Sequence, residues 1–318
     1  MSQNVSTTYR PGNGPNKTSP VKRKRQLKLL LFLLPFLGLV IAFNYLPIFG
    51  WLYAFIDYTP GVSIFNSNFA GLKYFKMVFS GSSEFWLVLR NTLCISLLNI
   101  AASVVPVIFA IMISQVVFKR FSKTVQTLTS IPNFISWVIV YSVVFMLLAS
   151  EDSALNTLLR TLNLTDSSVN ILTNVDAAWF VQVGIGVWKS TGYNAILYLA
   201  AISGIDQELF DAADVDGANT WQRIRHVTIP GILPTFFVLL LLSISNMLSN
   251  GFEQFWLFGN GMTWDKLEVF DTYVYRMGIQ NMEYSFSTAL GIFKSIVSVI
   301  LLTVANIGSK RLRGESIF

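Results

Sequence analysis

One cysteine and one histidine stand in a chain of 318 residues. Cys94 alone makes neither a disulfide framework nor a thiolate metal site, and His226 alone excludes a multi-histidine centre. Charge is scarce as well: Asp, Glu, Lys and Arg make up 13% of the residues, where a soluble domain carries about 25%. No G-x-x-x-x-G-K-[ST] nucleotide loop is present; "GIGVWKS", Gly184 to Ser190, comes nearest but lacks the glycine before the lysine. That stretch also lies in an apolar run that nucleotide does not reach. The chain therefore does not hydrolyse ATP by itself. With a single histidine and no clustered acids, no catalytic constellation supports a membrane enzyme either.

What the chain has in abundance is hydrocarbon. Hydrophobic residues make up 53% of the sequence and mean hydropathy is +0.55. Apolar runs of about 20 residues match the thickness of a bilayer core, and six such runs mark an all-α integral membrane protein. They cover about Leu29–Ile56, Leu87–Gln115, Val125–Ala149, Ala178–Ile202, Ile232–Ser249 and Phe286–Gly308, with Pro35 and Pro47 as kink candidates in the first. Residues 1–25 read as a disordered, basic cytoplasmic tail ahead of a membrane domain covering 26–318. The basic run "VKRKRQLK" beside a span indicates orientation and anionic lipid rather than nucleic acid. Of the 23 Lys and Arg, fifteen fall on one side: seven before the first span, three in 116–124, two in the loop near 223–225 and three after the last span. Six, counting Arg90 near the start of the second run, fall on the other side, and Lys189 and Lys294 lie inside spans. The positive-inside rule then puts both termini in the cytoplasm, as six spans require.

The most polar stretch lies between the fourth and fifth runs: "ELFDAADVDGANTWQRIRHVTIPGILP", Glu208 to Pro234. Asp206, Glu208, Asp211, Asp214 and Asp216 precede Trp221, Arg223, Arg225 and His226. Acids first and bases last suit the dipole of a short helix. Leu209, Ala212 and Ala213 share one face at three- and four-residue spacing. Gly204, Gly217, Pro230 and Pro234 punctuate the loop. Such a helix, with a small-residue face, is shaped to slot into a groove on a partner.

"DAADVDGANTWQRIRHVTIP" resembles the EAA motif of permease subunits of ATP-binding-cassette importers. The matching positions are Asp211, Ala212, Ala213, Gly217 and Ile229-Pro230; Asp211 stands where the family usually has Glu, one methylene shorter. "YLPIFGWLYAFIDYTP" (45–60), "IPNFISWVIVYSVVF" (131–145), "WKSTGYNAILYLAAISGID" (188–206) and "DTYVYRMG" (271–278) look like the carbohydrate branch, nearest the oligosaccharide and polysaccharide transport subgroup. The resemblance implies a type I importer permease fold in the cell membrane, with 204–230 as the loop that docks on a cytoplasmic ATPase through Asp211, Ala212, Ala213, Asp216, Gly217 and Pro230. It further implies a second homologous permease, two ATPase subunits that hold the ATP and magnesium, and an extracellular solute-binding lipoprotein. This chain itself is expected to bind no cofactor. The same loop occurs in importers of peptides and amino acids, which are the competing cargo. A secondary transporter is the further alternative; it would need membrane-buried carboxylates, which the assigned spans almost lack.

Polar side chains inside spans carry a functional prior. Ser190, Tyr193, Asn194, Ser243, Asn246 and Asn250 form the candidate sugar path, since amides and hydroxyls bond sugar hydroxyls and an aromatic face packs on their C–H surface. The resemblance places Tyr193 and Ser243 near sugar-contacting positions. Bonding between packed helices is the competing reading for each. Lys189 snorkels, bridges helices or pairs with a carboxylate; an ion pair is expected over an acidic sugar. Trp51, Trp86 and Trp179 read as interfacial anchors. The outer segment "NGFEQFWLFGNGMTWD" (250–265) reads as a gate, a binding-protein contact or a packed lid.

Overall fold

A computed structural model describes residues 20–80, 83–149, 152–162 and 169–313. The expected disordered tail falls outside these as far as residue 19, and its last six positions are helical, because helix α1 spans Pro20–Val40. The chain divides into two compact units, one reaching Leu52 and one starting at Tyr53.

In the first unit, α1 continues as a π turn, Ile41–Tyr45, and then as a tight 3-10 segment, Leu46–Phe55, that runs into the second unit. Pro35 is carried inside the helix; Pro47, which has no N–H to give, sits where the α pattern has already lapsed. Every side chain from Lys28 to Phe49 is exposed. A helix apolar on all faces is stable in lipid or against protein, not in water.

The second unit opens with a two-stranded antiparallel clasp, β1 (Ile56–Asp57) and β2 (Asn68–Phe69), registered Ile56 to Phe69 and Asp57 to Asn68. Helix α2 (Lys73–Ser80) follows. Helices α3 (Ser83–Ala102) and α4 (Val104–Ser114) form one run broken only at Ser103, whose hydroxyl donates to Ile100 O at 2.7 Å.

The third predicted span is not a straight helix. Helix α5 (Lys119–Phe134) and helix α6 (Trp137–Leu148) meet at an elbow of 106°. Pro132 sits in the last turn of α5, Ile135 is extended, and Ser136 starts α6 by accepting from Ile139 N at 3.5 Å. An apolar composition cannot distinguish this break from a continuous rod.

Helix α7 (Ala154–Thr161) precedes α8 (Ala178–Ser203). Helix α8 is the pivot of the fold: α3, α4, α5 and α11 all pack on it. At 26 residues, or about 39 Å at 1.5 Å per residue, it is long enough to cross a bilayer. It is nonetheless absent from the helices that are both long and apolar enough: Lys28–Phe55, Ser83–Ser114, Thr220–Ser245 and Tyr284–Lys310, with the bent α5–α6 pair as a fifth. Gln182, Lys189, Thr191 and Asn194 dilute its apolar character, and its central packing is what permits them. Gly192 marks the closest approach, where a Cβ would lie 2.2 Å from Thr129 O of α5.

Helices α9 (Gln207–Val215) and α10 (Thr220–Arg223) build the polar loop. A π turn, Ile224–Thr228, then leads without interruption into α11 (Ile229–Ser245). The fifth span therefore starts about three turns earlier than the apolar run, and ends at Ser245 rather than Ser249. The Ile229 N–H reaches back to Ile224 O, a wider turn placed just before Pro230, which has no N–H of its own.

Short helices α12 (Phe252–Phe258), α13 (Trp264–Leu267) and α14 (Phe270–Tyr275) and a π turn, Arg276–Gln280, complete the outer segment before α15 (Tyr284–Arg313). Phe85, Phe270, Tyr273, Phe286 and Leu290 form a core that seals α3 to this segment and to α15.

Candidate functional site

A cavity of about 390 Å³ opens among α3, α4, α8 and α11. Four of the six candidate path residues line it: Asn194, Ser243, Asn246 and Asn250. Ser190 lies one turn before Asn194 and outside the lining, and Tyr193 points its ring edge-on at Phe134, 6.0 Å away.

The opposite wall went unrecognised in the apolar pattern. Ser96, Asn99 and Ser103 face Asn194 and Asn246 across the cavity. Their spacing of three and four residues inside an otherwise apolar run is the periodicity that puts side chains on one helical face, and it was the available signal.

The polar groups here differ in how committed they are. Asn250 is a strut: its amide donates to Thr92 O at 3.0 Å and its oxygen accepts from Ser96 Oγ at 2.7 Å. The Ser243 hydroxyl donates to Leu239 O and the Asn246 amide to Leu242 O, both one turn back, at 2.9 Å. The side chains of Asn99 and Asn194 have no hydrogen-bond partner among the described residues. Bonding between helices therefore accounts for Asn250, and the amides of Asn99 and Asn194 remain available to a ligand.

Lys189, 7% exposed, makes no ion pair among the described residues. Its ammonium donates to Pro132 O, Asn133 O and Ile135 O at 2.9, 3.0 and 2.7 Å, and lies 5.2 Å from the Trp137 ring centroid. The expected carboxylate partner is replaced by the C-terminal carbonyls of α5, the negative end of that helix. Lys189 thus closes the elbow from α8.

At the other end of α8, Asp206 caps α9 by accepting from Glu208 N at 3.0 Å. The helix ends at Asp216, and Gly217 takes a φ of +72°. Ala218 N donates to Ala213 O at 2.9 Å, the reversed turn that ends helices at a left-handed residue. Asn219 and Gln222 form a reciprocal capping box at the start of α10. Arg223 pairs with Asp214 at 2.8 Å and braces the two short helices. Asp211, Ala212 and Asp216 are exposed, Ala213 is half-buried, and Leu209, Val215 and Trp221 show 55, 88 and 67% of their surface. This hairpin presents acids, small residues and unburied apolar groups together.

The outer segment is pinned from α3. Asn91 donates to Asp265 O and Glu268 O, at 2.9 and 3.1 Å, and Thr92 Oγ1 accepts from Phe270 N at 2.9 Å. Gln254 donates to Gln182 of α8. Arg276 bonds Glu268 twice and reaches Glu84; burial pushes the Glu268 carboxyl above its usual value despite this pairing. Lys294 pairs with Asp271, which also accepts from Gly251 N at 2.9 Å. Trp179, expected as an interfacial anchor, is half-buried, and its indole donates to Lys266 O at 2.7 Å. Phe255 and Phe258, both 2% exposed, pack this segment down.

Among the described residues no cluster of His, Cys, Asp and Glu is suited to hold a metal ion.

Comparison with known proteins agrees with this architecture. Residues 102–314 match the model of the binding-protein-dependent transport system inner membrane component. Protein LplB of Bacillus subtilis (strain 168) is 38% identical over 96% of this chain and 95% of its own length. The polygalacturonan/rhamnogalacturonan transport system permease protein YteP of the same organism is 38% identical over 94% and 92%. Among solved structures, a chain of a bacterial ABC transporter that imports the acidic polysaccharide alginate superposes with a TM-score of 0.82 at 34% identity, covering 92% of this chain and 98% of that one. A chain of the alginate transporter in complex with its alginate pentasaccharide-bound periplasmic protein gives 0.83 at 33%, covering 93% and 99%. The polar cavity, the exposed helical hairpin after α8 and these likenesses agree: the chain is a permease subunit of an ABC importer and belongs to the family of inner membrane components of binding-protein-dependent transport systems.

Proposed function

We propose that the chain forms one half of the path by which an ATP-driven importer carries an oligosaccharide or polysaccharide fragment into the cell. The observation that carries this reading is the cavity on α8 and α11, the two helices that the α9–α10 hairpin joins. A force applied at the hairpin is transmitted directly to both polar walls. Asn194, Ser243 and Asn246, with Asn99 and Ser96 opposite, bond the cargo's hydroxyls. Asn250 holds the outer end of that wall.

The hairpin is the handle. Asp211 and Asp216 offer charge, Ala212 and Ala213 let a partner surface approach closely, and Gly217 turns the chain where a side chain is strained. Pro230 lies at the base of α11. The partner is a cytoplasmic ATPase that holds ATP and magnesium, present in two copies. A second permease completes the path, and an extracellular solute-binding lipoprotein delivers cargo. Both termini then lie in the cytoplasm. The sugar reading is supported by YteP and by the alginate transporter, whose cargoes are saccharides.

The test is uptake in the native host. Ala213→Asp and Gly217→Arg are expected to abolish transport while leaving the protein in the membrane at unchanged level. Normal uptake by both variants removes the hairpin from the coupling role. Purification in mild detergent is expected to bring down a second six-span permease, an ATPase and a saccharide-binding lipoprotein. Transport into liposomes by the chain alone, without ATP, would replace the reading with a secondary transporter.

A further inference from the structure

The path reading leaves the chemical class of the saccharide open, and the walls of the cavity bear on it. Among the described residues, none of the lining side chains is Lys, Arg, Asp, Glu or His. What lines it instead is amide and hydroxyl, set between Leu, Ile and Met. Amides and hydroxyls each donate and accept, as the hydroxyls of a sugar do. The two amides that the protein leaves unpartnered, Asn99 and Asn194, are both in this lining.

The cations nearest the path are already engaged. Lys189, on α8 itself, gives its ammonium to three backbone carbonyls and faces Trp137. Lys294 is held by Asp271, and Arg276 by Glu268 and Glu84. Arg90, the cation on α3, donates to Asn91 Oδ1 at 3.1 Å and lies over Trp179, 5.7 Å from its ring centroid; Lys266 lies on the same ring at 4.6 Å. Releasing Arg276 or Arg90 toward a cargo would leave the buried Glu268 or Asn91 short of a partner.

Physical chemistry then separates two cargo classes. A carboxylate drawn into a partly desolvated cavity without a cation loses several kcal/mol of hydration, which neutral amide and hydroxyl donors return only in part. Recognition of carboxylates ordinarily uses Arg, whose planar fork bonds both oxygens. A neutral sugar exchanges water hydrogen bonds for amide and hydroxyl bonds at little net cost. A site of uncharged groups therefore discriminates against charge by omission as well as by fit.

We infer that this chain's half of the path is built for an uncharged glycan, a saccharide stretch without uronate or sulfate groups. This rests on the cavity being the sugar path. It also separates the chain by cargo from the relatives whose names specify polygalacturonan/rhamnogalacturonan and alginate.

The experiment supplies native-host cells with a defined mixture of short saccharides and follows each component's loss from the medium by mass spectrometry. The neutral members are oligomers of galactan, mannan, xylan and arabinan. The acidic members are oligogalacturonates, oligoalginates and glucuronate-substituted xylo-oligomers. Cells lacking only this chain are compared with cells in which it is restored. Restored uptake confined to neutral oligomers, at least tenfold above the acidic ones, is the expected result. Restored uptake of an acidic oligomer overturns the inference while leaving the sugar path standing, since the partner subunit would then supply the missing cation. Should no saccharide be taken up in a chain-dependent way, both the inference and the sugar reading fall. The matched pair of glucuronate-substituted and unsubstituted xylo-oligomers isolates charge from backbone shape.

Discussion

Single residues on α8 decide whether its neighbours hold their places. Lys189 supplies Asn133 O and Ile135 O with the only hydrogen bonds they show among the described residues, whereas Pro132 O also accepts from Ile135 N. Lys189→Met keeps the length of the side chain and removes the donor. Two half-buried carbonyls left without their donor, at about 1–3 kcal/mol each, exceed what relieving the buried ammonium returns. The expected outcome is a clear fall in the melting temperature of the purified protein; an unchanged melting temperature would remove Lys189 as the clamp of the elbow. Gly192 tests the same contact sterically. In Gly192→Ala the new methyl meets Thr129 O and Ser130 N at 2.2 and 2.6 Å, both backbone atoms. Backbone does not yield as a side-chain tip does, so a loss of about 1–3 kcal/mol is expected, read by the same melting measurement. The sequence placed Lys189 inside a span; its target on α5 was invisible, because it depends on carbonyls that every sequence has.

At the scale of elements, turns and clasps carry the function. Gly217 at φ +72° ends α9, where an L side chain costs about 1–2 kcal/mol. Gly217→Ala is therefore expected to lower coupled ATP hydrolysis while binding of saccharide at the outer face persists, a split that ATPase and binding assays measure separately. The β1–β2 clasp is held by Asp57, which accepts from Lys73 at 2.8 Å and from Tyr74 at 2.7 Å. The Lys73 ammonium, then the Tyr74 hydroxyl, hold the Asp57 carboxyl below its usual 3.8, and Asp57 raises Lys73 above 10.5. A depressed carboxyl contributes stability that is present above 3.8 and lost as pH falls through its folded value; a raised ammonium contributes below 10.5 and loses it as pH rises through its own. Exchange protection of the segment 56–73, corrected for intrinsic rates, is expected to stay flat between about pH 5 and about pH 9 and to fall outside that window, in stronger acid and in stronger alkali. Protection that drops near neutrality would remove this pair as the clasp. Helix α9 and its stop at Gly217 were legible beforehand because caps and turns are local; the second short helix, α10 with its Asn219 cap, was not anticipated. The elbow between α5 and α6 was not, since Pro132 is compatible with both a kinked and a broken helix.

For the molecule as a whole, unburied apolar surface identifies what must be covered. Leu209, Val215 and Trp221 stand exposed on the hairpin, where water rather than lipid surrounds them if the hairpin lies in the cytoplasm. Residues 207–223 are expected to gain strong protection from hydrogen exchange in the purified complex and to lose it once the ATPase is stripped away. Equal exchange in both preparations would argue that nothing docks there. The exposed side chains from Lys28 to Phe49 pose a different case, being apolar all round, and lipid or a second membrane subunit suits them equally.

Composition and hydropathy determined by themselves that the chain is an all-α membrane protein, and local motif chemistry determined the short helix after α8 and its stop at Gly217. Both are one-dimensional properties: the burial of hydrocarbon depends on run length, and a cap on its next few neighbours. Tertiary structure alone decided that Ser96, Asn99 and Ser103 face Asn194 and Asn246, that Asn250 is a strut, and that Lys189 meets carbonyls instead of a carboxylate. Each of those depends on which helix faces lie against one another across as many as 158 positions of chain, as from Thr92 to Asn250, and helical periodicity assigns a residue to a face without saying what that face will meet.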